Sequence, residues 1–214
     1  MKKLNDDEDA LPRRRPHLMG PAAQAKALAE ATAKLAARRQ RDALPHRIET
    51  PRLVLRAPIR GDVPDLVKLA DNKAIYEVLA RLPHPYTRAD GIAFVEIYAQ
   101  RPDERPYAIT LKDQFVGVVG LTFRPDSPPE LGYWLGEPYW GKGLMSEAVK
   151  GILEAAFATH LFPNIKSRAL KTNLRSQRVL EKAGFIKTHE APDTVGNVVG
   201  KDAVFYMLEQ PKWS

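Results

Sequence analysis

Apolar and polar positions switch between two periods along the chain, and the switches mark out its elements. From Thr50 to Ala57, Leu53 and Leu55 alternate with Arg52, Val54 and Arg56, the two-residue period of a half-buried strand. Asp62 then stands as the N-cap of a helix with Val63, Leu66, Val67, Leu69 and Ala70 on one face. A second helical stretch is predicted over Lys73 to Ala80, and Pro83-His84-Pro85-Tyr86 reads as a loop. Thr87 and Asp90 are spaced as a capping box, with Asp in the usual glutamate position, opening a helix to about Gln100. Three strands follow: Pro106 to Leu111, Phe115 to Phe123, and Glu130 to Leu135 after a loop at Pro125–Pro129. Met145, Ala148, Val149, Ile152, Leu153, Ala156 and Phe157 then keep the 3.6-residue period of a long helix starting near Gly143. Ile165 to Leu170 is a strand. Asn173 to Ala183 is a helix stopped by Gly184 in a left-handed cap. Phe185 to Thr188 and Val204 to Leu208 close the pattern as strands. The order is that of a mixed α/β domain with one long central helix.

Residues 1–46 depart from this pattern. The first 20 are charged, carry Pro12 and Pro16, and are expected to lack regular structure. Pro21 to Leu44 is rich in Ala, Lys and Arg, all good helix formers, with Pro21 in the first turn and Pro45 as the stop. Its larger apolar residues are only Leu28, Leu35 and Leu44, so this helix has little to bury. The expected organisation is a basic extension over residues 1–46 and one domain over 47–214.

The net charge of +7 is concentrated in that extension: residues 1–47 hold eleven Lys/Arg and six Asp/Glu, a net of +5. A basic arm can meet nucleic acid or a ribosome, or simply stay solvated. With no cysteine in the chain, disulfides, cysteine-ligated zinc and a cysteine nucleophile are excluded. No secretory or membrane-spanning segment is visible, and a cytoplasmic location is expected. No metal is expected.

The candidate chemistry lies at Trp140-Gly141-Lys142-Gly143-Leu144-Met145-Ser146, between a strand and the long helix. Glycines two apart allow a tight turn and close approach of a ligand. The first-turn amides of the helix lack partners within it and, with the helix dipole, favour an anion. Lys142 adds positive charge. The turn reads as a pyrophosphate cradle or as a plain connection. It is not a P-loop, because Gly-Lys-Ser/Thr is missing, and it lacks the third glycine of a dinucleotide fingerprint.

Glu130-Leu-Gly-Tyr-Trp-Leu-Gly-Glu-Pro-Tyr-Trp-Gly-Lys-Gly-Leu-Met-Ser-Glu-Ala resembles motif A of the GNAT superfamily of N-acetyltransferases, and in particular its RimJ/RimL-type branch. Asn173-Leu-Arg-Ser176-Gln-Arg-Val-Leu-Glu-Lys-Ala-Gly-Phe185 resembles motif B, Thr50-Pro51-Arg52-Leu53 the first strand, and Pro85-Tyr86-Thr87 a loop of that branch. The likeness covers about residues 47 to 210. It implies a twisted, mostly antiparallel sheet flanked by helices and splayed between the family's fourth and fifth strands, here Glu130–Gly136 and Ile165–Leu170. It further implies that acetyl-CoA binds as cosubstrate, with Trp134, Leu135 and Gly136 beside its pantetheine arm and Gly141, Lys142, Gly143, Leu144, Met145 and Ser146 around its pyrophosphate. Trp140 and Met145 depart from the residues usual in the phosphate motif.

An amine attacks a thioester only when neutral, so a base must take its proton. The resemblance assigns that role to Glu130, which otherwise reads as a solvent-facing strand residue. The Leu135 amide is the suggested oxyanion donor. Many family members use a motif B tyrosine as acid toward the departing thiolate. Leu180 stands at that position here, and Ser176 matches the serine of the RimJ/RimL-type branch. Asn173 reads as ligand contact, helix N-cap, or both. His84 and Tyr86 are candidates for lining the acceptor pocket, and Tyr133 and Trp134 for opposite faces of the sheet. The acceptor is an amine, on a small molecule or a protein N-terminus, and the expected assembly is a monomer or homodimer. A non-catalytic acyl-CoA-binding module and a ribosome- or RNA-associated protein remain alternatives.

Overall fold

A computed structural model describes residues 20–125 and 127–210. The stretch expected to lack regular structure therefore lies, apart from Gly20, outside the described residues.

The described residues build one eight-stranded sheet. Its strands are β1 (Arg47–Glu49), β2 (Leu53–Arg56), β3 (Glu104–Leu111), β4 (Gln114–Arg124), β5 (Ser127–Leu135), β6 (Asn164–Leu170), β7 (Ile186–Pro192) and β8 (Asp202–Glu209). They lie in the order β1-β2-β3-β4-β5-β6-β8-β7, and every neighbouring pair is antiparallel except β5 and β6. That parallel step needs a crossover, which the long helix α5 (Leu144–Ala158) supplies.

Two apolar clusters sandwich the sheet. The larger joins α5 and α6 (Leu174–Lys182) to one face. All seven helical positions read from the periodicity, from Met145 to Phe157, are buried in it. The smaller lies on the other face under α2 (Val63–Ala70) and α4 (Arg88–Glu96), around Val63, Leu66, Tyr86, Val95 and Val118. Thr87 and Asp90 form the expected reciprocal cap, with Asp90 N–H donating to Thr87 Oγ1 and Thr87 N–H to the Asp90 carboxylate.

Several elements differ from expectation for identifiable reasons. Asp62 does not cap α2 with its side chain. Its carboxylate instead receives both ends of the Arg56 guanidinium, at 2.8 and 2.6 Å, and the Ile59 amide. The helix expected over Lys73–Ala80 stops at Tyr76, as α3 (Lys73–Tyr76). Beyond it, Val78 and Ala80 pack on Leu170, Val198 and Ala203, and the Ala80 carbonyl accepts from Asn197 N–H, so tertiary contacts take over from the helix. Ser127 to Pro129 belong to β5 rather than to a loop. β6 reaches only as far as Glu130, so the missing N–H groups of Pro128 and Pro129 interrupt no ladder on that side. β1 has a single inward residue, Ile48, too little for a period to show. β7 extends past Thr188 although almost every residue on it is exposed, because its partner β8 and not burial defines it.

The N-terminal helix α1 (Pro21–Ala43) has no buried residue, and Leu28 and Leu35 are 70% and 68% exposed. Its last turns touch the domain. Gln40 donates to the Leu161 carbonyl and Arg41 to the Glu104 carbonyl, and Leu44, just past the helix, is part of the main core. Tyr107 donates to the Pro45 carbonyl. Leu44 and Pro45, at the end of the expected extension, are thus tied to the domain.

Candidate functional site

β5 and β6 pair only at Glu130–Lys166 and Leu131–Ser167, and then part. Ser167 Oγ takes the Leu131 carbonyl at 2.9 Å and closes the ladder with a side chain. The Gly136 amide donates to Val116 O, which sets the phase of the β4–β5 ladder. Trp134 and Gly132 turn their backbone groups to β4, while Leu131, Tyr133 and Leu135 turn theirs to the β6 side. Past Leu131, β6 supplies no partners for the Tyr133 backbone or the Leu135 amide, the Leu135 carbonyl being taken by Trp140 Nε1, and unpaired strand groups invite an extended ligand. Leu135 and Tyr133 face the gap, whereas the Trp134 backbone and the Gly136 amide face β4 and the Gly136 carbonyl accepts from Tyr139 N–H. The Trp134 indole packs near Phe115 on the α2/α4 face. Residue alternation alone, counted from any one β4–β5 hydrogen bond, would have revealed Tyr133.

At the C-terminal end of β5, a 3-10 turn over Glu137–Tyr139 leads to Gly141 and Gly143, both left-handed with φ of 74°. No side chain caps α5, and its first backbone bond runs from Glu147 to Gly143, so the amides of Leu144, Met145 and Ser146 begin the helix without intrahelical acceptors. The Leu144 and Met145 side chains are buried, leaving their backbones as the available groups. Lys142 folds back, with Nζ on the Pro138 carbonyl at 2.8 Å and over the Tyr139 ring. Trp140 Nε1 donates to Leu135 O at 2.6 Å, and Arg175 lies 4.7 Å from the centre of its ring. The sequence did not single out Arg52, yet it buttresses the turn: Nη1 donates to Lys142 O, and Nε and the backbone amide bind Glu147. Burial raises the Glu147 pKa, but the bonds from Thr50 and Arg52 outweigh it and hold the group below the usual carboxylate range.

Glu130, Gly132 and Trp134 share the face opposite α5. A Cβ on Gly132 would meet nothing within 4 Å, so the strand is open there. Glu130 is mostly buried and lies 3.2 Å from Arg168, whose Nε binds the buried Asp193 at 2.8 Å. On the other face, Asn173 caps α6, its Oδ1 accepting from Ser176 N–H at 3.1 Å. Ser176 Oγ lies 2.9 Å from the Tyr133 hydroxyl. Leu180 is fully buried. Tyr133 and Trp134 do fall on opposite faces. Tyr86 is 6% exposed and belongs to the smaller core, where burial pushes its phenol up. His84 pairs with Asp71 at 3.1 Å beside Tyr76. Neither residue has a polar contact with Glu130 or Ser176.

Residues 52–186 match the family model described as "Acetyltransferase (GNAT) domain". The "Probable N-acetyltransferase YjcK" of Bacillus subtilis (strain 168) is 44% identical over 57 residues, 27% of this chain and 32% of that protein. The "Putative ribosomal N-acetyltransferase YdaF" of the same organism is 29% identical over 85 residues, 39% of this chain and 46% of that protein. The chain thus spans less than half the length of these curated relatives. Among solved structures, the RimL ribosomal L7/L12 alpha-N-protein acetyltransferase in complex with coenzyme A superposes with a TM-score of 0.68 at 20% identity, over 76% of this chain and 97% of that one. The microcin C7 self-immunity acetyltransferase MccE, in complex with acetyl-CoA and AMP, gives 0.67 at 19% identity, over 74% and 93%. Likeness at these identities shows a shared fold.

Proposed function

The chain belongs to the GNAT acetyltransferase family, and on that footing we propose that it transfers an acetyl group from acetyl-CoA to a primary amine by direct attack. The observation that carries this reading is the parting of β5 from β6 after Leu131, directly ahead of the Gly141–Ser146 turn. The gap offers strand-type hydrogen bonds from the Tyr133 backbone to the amides of a pantetheine arm. The turn offers backbone amides and a helix N-terminus to the pyrophosphate.

The acceptor enters from the α2/α4 face, where Gly132 leaves the strand open beside Glu130. Glu130 takes the amine proton, directly or through a water, and the nitrogen lone pair attacks the thioester carbon. The Leu135 amide donates to the oxyanion. The C–S bond then breaks, the thiolate leaves with the electron pair, Ser176 hydrogen-bonds to the sulfur, and the nitrogen gives up its second proton to water. Arg168 anchors Glu130 and leaves its carboxylate in place for the amine. The acceptor is a small-molecule amine or a protein N-terminus, the latter supported by the ribosomal acetyltransferases among the relatives and fold neighbours.

Purified protein given acetyl-CoA and a panel of peptide N-termini and small amines should release free CoA thiol with at least one acceptor. Glu130→Gln should lower turnover by about 100-fold or more while CoA titration keeps its heat. Heat on CoA titration with no turnover on any amine would instead support a CoA-binding module.

A further inference from the structure

The leaving-group side of the reaction holds a pair of hydroxyls that the mechanism above uses only in half. Tyr133 sits on the splayed strand with its ring on the α6 side. Its hydroxyl lies 2.9 Å from Ser176 Oγ and 3.1 Å from the Ser176 carbonyl. A phenol has one proton to donate, so two arrangements exist. In one, Tyr133 donates to the carbonyl and the Ser176 hydrogen is consumed on the phenol oxygen. In the other, Tyr133 donates to Ser176 Oγ, and the Ser176 hydrogen is free to point elsewhere.

We propose that Tyr133 is a positioning residue for the departing thiolate, switching its donor bond to Ser176 Oγ so that the Ser176 hydrogen turns to the sulfur as the C–S bond breaks. The inference rests on Ser176 facing the sulfur, as in the reading above. Developing negative charge on sulfur selects the second arrangement, and the Tyr133 bond polarises the serine hydroxyl along a two-member chain. No proton passes between Tyr133 and Ser176 or from Ser176 to the sulfur. The ammonium gives one proton to Glu130 before attack, the N–C bond forms, the C–S bond breaks with its electron pair leaving on sulfur, and the second nitrogen proton of the new amide is lost to water. A thiol ionises near pH 8.5, so the thiolate needs a hydrogen bond more than an acid. Desolvation raises the Tyr133 pKa, opposed by its bond to Ser176, which keeps the phenol a donor. Leu180, at the position where related enzymes place an acidic tyrosine, is buried in the core, so the phenol at this end of the site comes from β5.

The test is a double-mutant cycle on kcat with Tyr133→Phe, Ser176→Ala and both together. Each single change should lower kcat about tenfold, the equivalent of one hydrogen bond, with KM for acetyl-CoA and CoA affinity within about twofold of the parent. The double variant should be no slower than the slower single. If Ser176→Ala leaves kcat unchanged, the placement of Ser176 at the sulfur fails and this inference with it. If Ser176→Ala is slow but Tyr133→Phe matches the parent, or the two losses multiply, only the Tyr133 inference is overturned. Tyr133→Phe keeps the ring, so a collapse of its unfolding midpoint would overturn it too, by showing that the hydroxyl serves the fold.

Discussion

Arg168 Nη1 lies 3.2 Å from Glu130 Oε1, across the last rung before β5 and β6 separate. The same guanidinium holds Asp193, whose side chain is 4% exposed, at 2.8 Å. One cation therefore locks a carboxylate on β5 to the loop that follows β7. This connection holds the seam shut at its base while the rest of it opens.

Removing the guanidinium strands a buried charge. Arg168→Met is expected to lose about 3 kcal/mol of stability, the usual cost of breaking a buried pair from one side. Asp193→Asn in the same background should recover part of that loss. Denaturant unfolding of the two variants measures both. Turnover of the double variant, which is relieved of the stranded charge, should still fall about tenfold, because Glu130 has lost its anchor.

Both turn glycines have a left-handed backbone, and a Cβ at Gly141 would meet nothing within 4 Å. Gly141→Ala therefore tests backbone strain without a steric clash. The expected cost is about 1 kcal/mol in stability, with a comparable weakening of CoA binding by calorimetry. CoA affinity equal to that of the parent would argue against the turn as the pyrophosphate site.

The clamp between Arg52 and Glu147 carries a pH signature. The Glu147 pKa is lower in the folded chain than in the unfolded one, so the unfolded state binds the extra proton first as the pH falls. Its stabilisation is complete above the ordinary glutamate value of about 4.3 and is lost as pH falls below that value through the folded one. The stability gap between the parent and Glu147→Gln should be constant from about pH 6 upward and narrow below about pH 4. A gap that widens with acid would contradict the sign.

The end of α1 is docked on the domain core. Leu44 is 2% exposed, whereas no residue of the helix itself is buried. Replacing the exposed Leu28 and Leu35 by alanine should shift unfolding by less than about 0.5 kcal/mol, and Leu44→Ala should cost about 2–4 kcal/mol. Thermal melts of the two proteins separate these cases.

Much of this architecture was written locally. The helical periodicity from Met145 to Phe157, the Thr87–Asp90 cap, the Asn173 cap and the Gly184 stop each depend on residues within a turn or two of one another, and all appear as read. The motif around Gly141 and Gly143 was legible for the same reason: a left-handed turn needs glycine whatever surrounds it. Where the sequence misled, a distant partner had outbid the local preference. The Asp62 side chain turned from capping to Arg56, and the helix begun at Lys73 ended at Tyr76, ahead of the Ala80–Asn197 contact.

The chain by itself determined the order of its strands and helices, the two faces of the sheet, and the glycine turn that begins α5. Only the tertiary structure decided which backbone groups face the gap, that Arg168 and Asp193 hold Glu130, that Arg52 braces the turn, and that Tyr133 meets Ser176. Periodicity and capping report on neighbours in the chain, within reach of one helical turn or one strand pleat. The site is assembled from β5, β6 and α6, whose residues are separated by some 40 positions in sequence, as the Tyr133–Ser176 pair is. Such contacts are fixed by how the sheet twists and parts, and no local pattern records that.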